Sequence, residues 1–109
     1  MSGPIQHECE FTVARLLGLH ARPASQFATL AGRFESEIEV GRGEEWVDAR
    51  SVLSLLSLAA GNGTRLRIRA VGVDAVEAVE ALGQVLEEPV GLGDDRPASG
   101  TDRRPSDVD

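Results

Sequence analysis

Hydrophobic and polar residues alternate from Glu8 to Val13, with Cys9, Phe11 and Val13 on one side and Glu8, Glu10 and Thr12 on the other. A period of two predicts a half-buried strand. The spacing then changes. In "HARPASQFATLAGRF" the apolar positions Ala24, Phe27, Ala28, Ala31 and Phe34 recur at helical intervals, with Gly32 near the C-terminal end. "ESEIEVGRGEEWVDA" predicts a hairpin, with Ile38 and Val40 inward on one strand, Val47 and Ala49 inward on the other, and Gly41 and Gly43 in the turn.

A short helix follows in "RSVLSLLSLAAGNG", closed by glycines and an asparagine. "TRLRIRAVG" alternates again, with Leu66, Ile68 and Ala70 on one face and Arg65, Arg67 and Arg69 on the other. "DAVEAVEALGQVLEE" predicts a last helix, capped by Asp74 and Glu77, with a stripe of Val76, Val79, Leu82 and Leu86. From Pro89 to Asp109 the chain is Gly, Pro, Ser, Asp and Arg with almost nothing apolar, which predicts a disordered polar tail after a domain at 1–88.

The order strand, helix, strand, strand, helix, strand, helix gives each strand one apolar face. The expected architecture is therefore α+β, an open-faced sandwich in which helices cover one side of a four-stranded antiparallel sheet. If the first and last strands are neighbours, Glu8 and Glu10 face the arginine row. Exposed cross-strand ion pairs of that kind contribute ~0.2–1 kcal/mol each. The other reading of the row is an anion-binding surface.

With 109 residues and 41% hydrophobic, the chain fits one small domain. The net charge of −7 argues against nucleic acid or an anionic membrane as partner. No apolar run approaches a membrane span, and the N-terminus lacks a signal-peptide layout. The single cysteine, Cys9, can form no internal disulfide and has no metal-ligand spacing, so a reduced, cytoplasmic protein without a metal is expected.

One stretch brings in chemistry. "GLHARPAS" sets His20 at the mouth of the first helix, with Arg22 and Pro23 just after it. The first turn of a helix exposes unpaired N–H groups and the positive end of its dipole, which together suit a phosphate. Arg22 adds a planar cationic fork, and Pro23 sits where a missing N–H costs little. Proline disfavours helical backbone at the preceding residue, which leaves an irregular start at Arg22 open. Histidine is a competent nucleophile near neutral pH. Spacing alone leaves two readings: a phosphoryl-accepting histidine, or a polar helix cap. His7, ahead of the first strand, is assigned a surface role.

"GLHARPAS" resembles the active-site signature of the HPr family, the phosphocarrier proteins of the phosphoenolpyruvate-dependent phosphotransferase system. "ARSVLSLLSLAAGNGTRLRIRAVGVDAVEAVEAL" is similar to the family's second half, and the separation of His20 from Ser51 matches its two phosphorylation sites. The resemblance runs from about Ile5 to Glu88 without insertion and implies an open-faced sandwich. It implies that His20 takes a phosphoryl group on Nδ1 from the phosphohistidine of Enzyme I and passes it to an EIIA-type domain. Arg22 and the helix-start amides from about Ala21 would hold the moving group. Such a protein is a carrier rather than a stand-alone enzyme, and it implies no cofactor.

In "RSVLSLLSL" the apolar positions Val52, Leu53, Leu55, Leu56 and Leu58 are too many for one buried stripe on a short helix. Val52, Leu53 and Leu56 match the family's docking positions, and the other reading places all five in the core. Ser51 suits an N-cap, contributing ~1 kcal/mol. By resemblance it is also the regulatory serine of HPr kinase/phosphorylase, with Arg50 beside it where many members carry lysine. A phosphate there would obstruct docking on the adjacent leucines. Leu16 and Leu17 depart from the small polar residues common in the family, and Trp46 falls on the polar side of its strand. The expected function is that of an HPr phosphocarrier. The alternatives are a nitrogen-type or other regulatory relay without sugar import, and a binding module controlled through Ser51.

Overall fold

The computed structural model describes residues 5–15 and 18–88, so the expected tail at 89–109 and the departures at Leu16 and Leu17 lie outside the described residues. The elements are β1 (Gln6–Thr12), α1 (Ala21–Ala31), β2 (Glu37–Arg42), β3 (Glu45–Asp48), α2 (Val52–Ser57), β4 (Arg65–Val71) and α3 (Ala75–Glu87). The strands form one antiparallel sheet in the order β1-β4-β2-β3, so the first and last strands are neighbours as expected.

The period-two pattern decides which face the helices cover. Ile38, Val40, Leu66, Ile68 and Ala70 are buried on one side of the sheet and join Ala24, Phe27, Leu55, Val79, Leu82 and Leu86 in a single core. Each large aliphatic or aromatic side chain buried there stabilises the fold by ~1.5–3 kcal/mol through lost apolar exposure. Gly83 lets α3 close on β1, because a Cβ at that position would run into the Phe11 ring. The glycine costs about 1 kcal/mol of helix propensity, and the close approach offsets it.

Several expectations shift. Gly41 belongs to β2, and the turn is Gly43–Glu44, between the paired residues Arg42 and Glu45. Val76 is 37% exposed, and the inward positions of α3's first turns are Ala75 and Ala78 instead. His7 lies within β1, half-buried, with its Nε2 3.4 Å from Cys9 Sγ.

The arginine row is engaged on the open face. Register puts Glu8 opposite Arg69 and Glu10 opposite Arg67, yet the ion pairs are Glu8–Arg67 at 3.9 Å and Glu39–Arg69 at 2.7 Å. Long side chains lean diagonally, and Glu39 reaches Arg69 from the opposite neighbour, β2. Trp46 lies across the strand pair over Gly41, and the guanidinium carbons of Arg69 and Arg67 stand 3.7 and 4.6 Å from its ring centre. Each such contact is worth ~0.5–1 kcal/mol at a half-exposed site. With Arg67 and Arg69 committed in this way, the ion-pair account of the row is favoured over an anion-binding surface.

Asp74 also does something other than expected. It occupies the N-cap position of α3, but its side chain makes no cap hydrogen bond there. Its carboxylate instead accepts from Ser36 Oγ at 2.6 Å, Glu35 N at 2.9 Å and Ser36 N at 3.0 Å, tying α3 to the loop after α1. The Ser36 hydroxyl above all, with the Glu35 amide, holds the Asp74 carboxyl below the ordinary carboxylate range. A lowered folded value means this contribution is complete above the ordinary range and is lost as pH falls through the lowered one. Asp74→Ala is therefore expected to unfold at a lower temperature than the parent at neutral pH. Thermal scans across an acid series should show that gap closing below the ordinary carboxylate range.

Candidate functional site

The site is built where two loops abut. Val13 N donates to Thr64 O at 2.8 Å and Gly63 N returns to Val13 O at 2.8 Å, carrying the β1–β4 pairing past the strand ends. Next, Asn62 Nδ2 donates to Arg15 O at 3.0 Å, and Leu19 N donates to Ala60 O at 2.8 Å. Gly18 is required at this junction. Its φ is +76°, and a Cβ there would lie 2.7 Å from both Ala60 O and Gly61 Cα. With the loop pinned and Leu19 buried, the chain enters α1 at His20.

His20 is the N-cap residue, with extended backbone (φ −96°, ψ −169°), and its carbonyl accepts from Ala24 N at 2.9 Å. Its ring makes no cap hydrogen bond, so the polar-cap reading of this histidine does not describe the structure. The helix-start amides of Ala21 and Arg22 precede the first intrahelical donor, while Pro23 has none to offer and is buried. The available donors at the mouth are thus two, narrower than a run from Ala21 onward. Arg22 is helical despite the proline after it, so the start is regular. Its side chain is exposed and has no ion-pair partner among the described residues. A half-exposed imidazole, two orphan amides and a guanidinium therefore share one helix end, an arrangement able to hold an anionic group in contact with water.

α2 lies alongside α1, and its exit loop supplies the Ala60 carbonyl that fixes Leu19. Its apolar residues divide as the sequence requires: Leu55 and Leu58 are buried, Val52 and Leu56 half-buried, and Leu53 is 80% exposed. Ser51 caps the helix, its Oγ accepting from Ser54 N at 3.1 Å. Six helical residues, about 9 Å of rise, separate this cap from the exit loop beside Leu19, so Ser51 and His20 mark two separate places.

Arg15 was not singled out from the sequence. Only 2% exposed, it donates through Nε to Val85 O at 3.0 Å and lies 3.9 Å from a Glu88 carboxylate oxygen. The signal was present, because continuing the alternation from Val13 puts residue 15 on the inward side. Among the described residues no group of three or more His, Cys, Asp or Glu is placed to hold a metal ion. No helix among them is long and apolar enough to cross a membrane.

Comparison with known proteins adds to this geometry. The family model for the PTS HPr component phosphorylation site matches residues 7–88. The chain belongs to the HPr phosphocarrier family. Phosphocarrier protein HPr of Pseudomonas aeruginosa is 41% identical over 78 residues, covering 71% of this chain and 87% of that protein. Phosphocarrier protein NPr of Shewanella violacea is also 41% identical, over 75 residues, covering 69% of this chain and 82% of its own. The crystal structure of HPr from Bacillus anthracis superposes with a TM-score of 0.72 at 36% identity, covering 74% of this chain and 96% of that one. The HPr match ends at residue 88, the last described residue.

The pinned loop gives a direct test of how this HPr fold positions its histidine. Gly18→Ala is expected to lose about 1–3 kcal/mol of stability from left-handed backbone strain and overpacking. Gly61→Ala, where a Cβ meets nothing within 4 Å, serves as the comparison and should lose less. Urea unfolding of the two variants beside the parent measures the difference.

Proposed function

We propose that His20 is the residue through which this phosphocarrier works. Its ring accepts a phosphoryl group from the phosphohistidine of Enzyme I and yields it to a histidine of an EIIA-type component of the phosphotransferase system. The observation that carries this reading is an imidazole at the start of α1 that is not used as a cap, beside the amides of Ala21 and Arg22 and the Arg22 guanidinium. In each transfer one P–N bond breaks as another forms. The attacking nitrogen is the unprotonated one of a neutral imidazole, and the departing imidazole leaves neutral. The protein supplies alignment and charge support for the moving group rather than covalent chemistry of its own. Two amide donors and an exposed arginine hold a phosphoryl group loosely, as a carrier that must release it requires.

Partner docking is assigned to Val52, Leu53 and Leu56, which leave apolar surface on α2 beside the His20 loop. Ser51 is assigned as the regulatory position, open to HPr kinase/phosphorylase. A phosphate there brings roughly −1.5 to −2 charge next to the apolar docking residues and obstructs a partner. The carrier domain is placed at 1–88 and the protein in the cytoplasm, with neither nucleic acid nor membrane as partner. A regulatory, nitrogen-type relay is the second reading, favoured by the similarity to the NPr of Shewanella violacea. The identity of the EIIA-type domain that accepts the group from phosphorylated protein separates the two.

Incubation with Enzyme I and phosphoenolpyruvate is expected to give an acid-labile, base-stable phosphate that disappears in His20→Ala. Retention of that label in His20→Ala, or no label with an active donor enzyme, would sink the assignment. A label that comes only from ATP, is acid-stable and is lost in Ser51→Ala would point to a binding module instead. Leu53→Glu places a charge on an exposed apolar position, so it should keep the parent's stability while slowing transfer at least tenfold. Stopped-quench transfer rates alongside thermal unfolding check both halves of that expectation.

A further inference from the structure

α2 runs out into a strained turn. Ala59, just past the C-cap residue Leu58, has φ +53°, a left-handed conformation that glycine takes freely and alanine takes at a cost. The next residue, Ala60, supplies the carbonyl that receives Leu19 N at 2.8 Å, one residue ahead of His20. The turn that aims this carbonyl is thus unfavourable by itself and needs an outside hold. Arg42, the last residue of β2, reaches it from the sheet: its Nη1 donates to Leu58 O at 2.7 Å and to Ala59 O at 2.9 Å. Carbonyls at a helix end lack intrahelical donors, and the negative end of the helix dipole favours a cation there. Arg50, Arg67 and Arg69 instead pair with carboxylates of β1 and β2.

We propose that Arg42 is a positioning residue for phosphoryl transfer. It acts one step removed, holding Ala59 in its left-handed turn so that Ala60 O stays on Leu19 N and α1 begins in one place. The inference rests on the reading of His20 as the residue that takes the phosphoryl group. With the two Arg42 bonds gone, Ala59 is free to relax toward ordinary backbone, and the carbonyl that pins Leu19 swings with it. A nucleophile out of line loses rate even when its partner still docks. Val52, Leu53 and Leu56, assigned to docking, precede the strained turn and keep their places in α2. The loss therefore falls on the maximal transfer rate and spares the half-saturating concentration.

Single-turnover transfer from phosphorylated Enzyme I to the full chain, at varied chain concentration, tests this. Arg42→Met keeps the stem and removes the donors. Its maximal rate should fall roughly fivefold or more, with the half-saturating concentration within about twofold of the parent's. Arg42→Lys, which keeps a cationic donor, should retain most of the rate. Adding Ala59→Gly to Arg42→Met should recover part of it, because glycine takes this φ without a hold. Asp74→Ala, which loses stability at the other end of α1, is the control and should transfer at the parent's rate. A parent-like rate in Arg42→Met, a loss confined to the half-saturating concentration, an equal loss in Asp74→Ala, or no recovery with Ala59→Gly overturns the proposal. Hydrogen exchange supplies a readout independent of phosphate: in Arg42→Met the Leu19 amide should speed up about tenfold more than that of Ile68. Equal changes at the two amides overturn the proposal whether or not the chain takes a label. A parent that takes no label sinks the His20 reading instead, and the Leu19 exchange still decides whether Arg42 fixes the entry to α1.

Discussion

The hydrogen bond from Leu19 N to Ala60 O, 2.8 Å long, is the constraint from which the start of α1 follows. It joins the segment entering α1 to the segment entering β4, two stretches far apart in sequence. It forms only because Gly18 has no side chain to hold the backbones apart. Once it is made, Leu19 is buried and α1 has one place to begin, so the position of the histidine is decided by backbone contacts rather than by its own side chain. Peptide groups are better suited to that task than long side chains, which lose rotamer freedom when held still.

A helix start offers stabilisation to any side chain that caps it, ~1 kcal/mol for a good cap. α2 takes that gain through Ser51, and α1 forgoes it at His20. Leaving amides unsatisfied is tolerable where water reaches them, and this end of α1 is exposed at Ala21 and Arg22. The fold thus treats its two short-range helix starts differently. One is closed by a side-chain hydrogen bond, and the other is not.

Most of the architecture was legible in the chain, because strand alternation and helical spacing are strong wherever a single face is buried. Leu66, Ile68 and Ala70 alternate without interruption and lie where that pattern puts them. The errors share a cause. Asp74 looked like a cap because its own helix was the nearest user of a carboxylate, but the Glu35–Ser36 loop, distant in sequence, competes for it and wins. Gly41 looked like a turn residue because only a cross-strand view shows Trp46 lying over it. Val76 followed helical spacing, yet the small residues Ala75 and Ala78 let α3 approach more closely and rotated it outward. At the site, the motif placed His20, Ala21 and Arg22 together, while the part played by Ala60 and Asn62 is tertiary and carries no local signal.

Trp46 is the chain's one tryptophan, and there is no tyrosine. Its indole lies beneath two guanidinium groups on the sheet face turned away from the helices. Ultraviolet emission from this molecule consequently comes from one locus, and that locus is remote from the helix end bearing His20. The chain thus carries its own optical gauge of sheet integrity, read from the face opposite the helices.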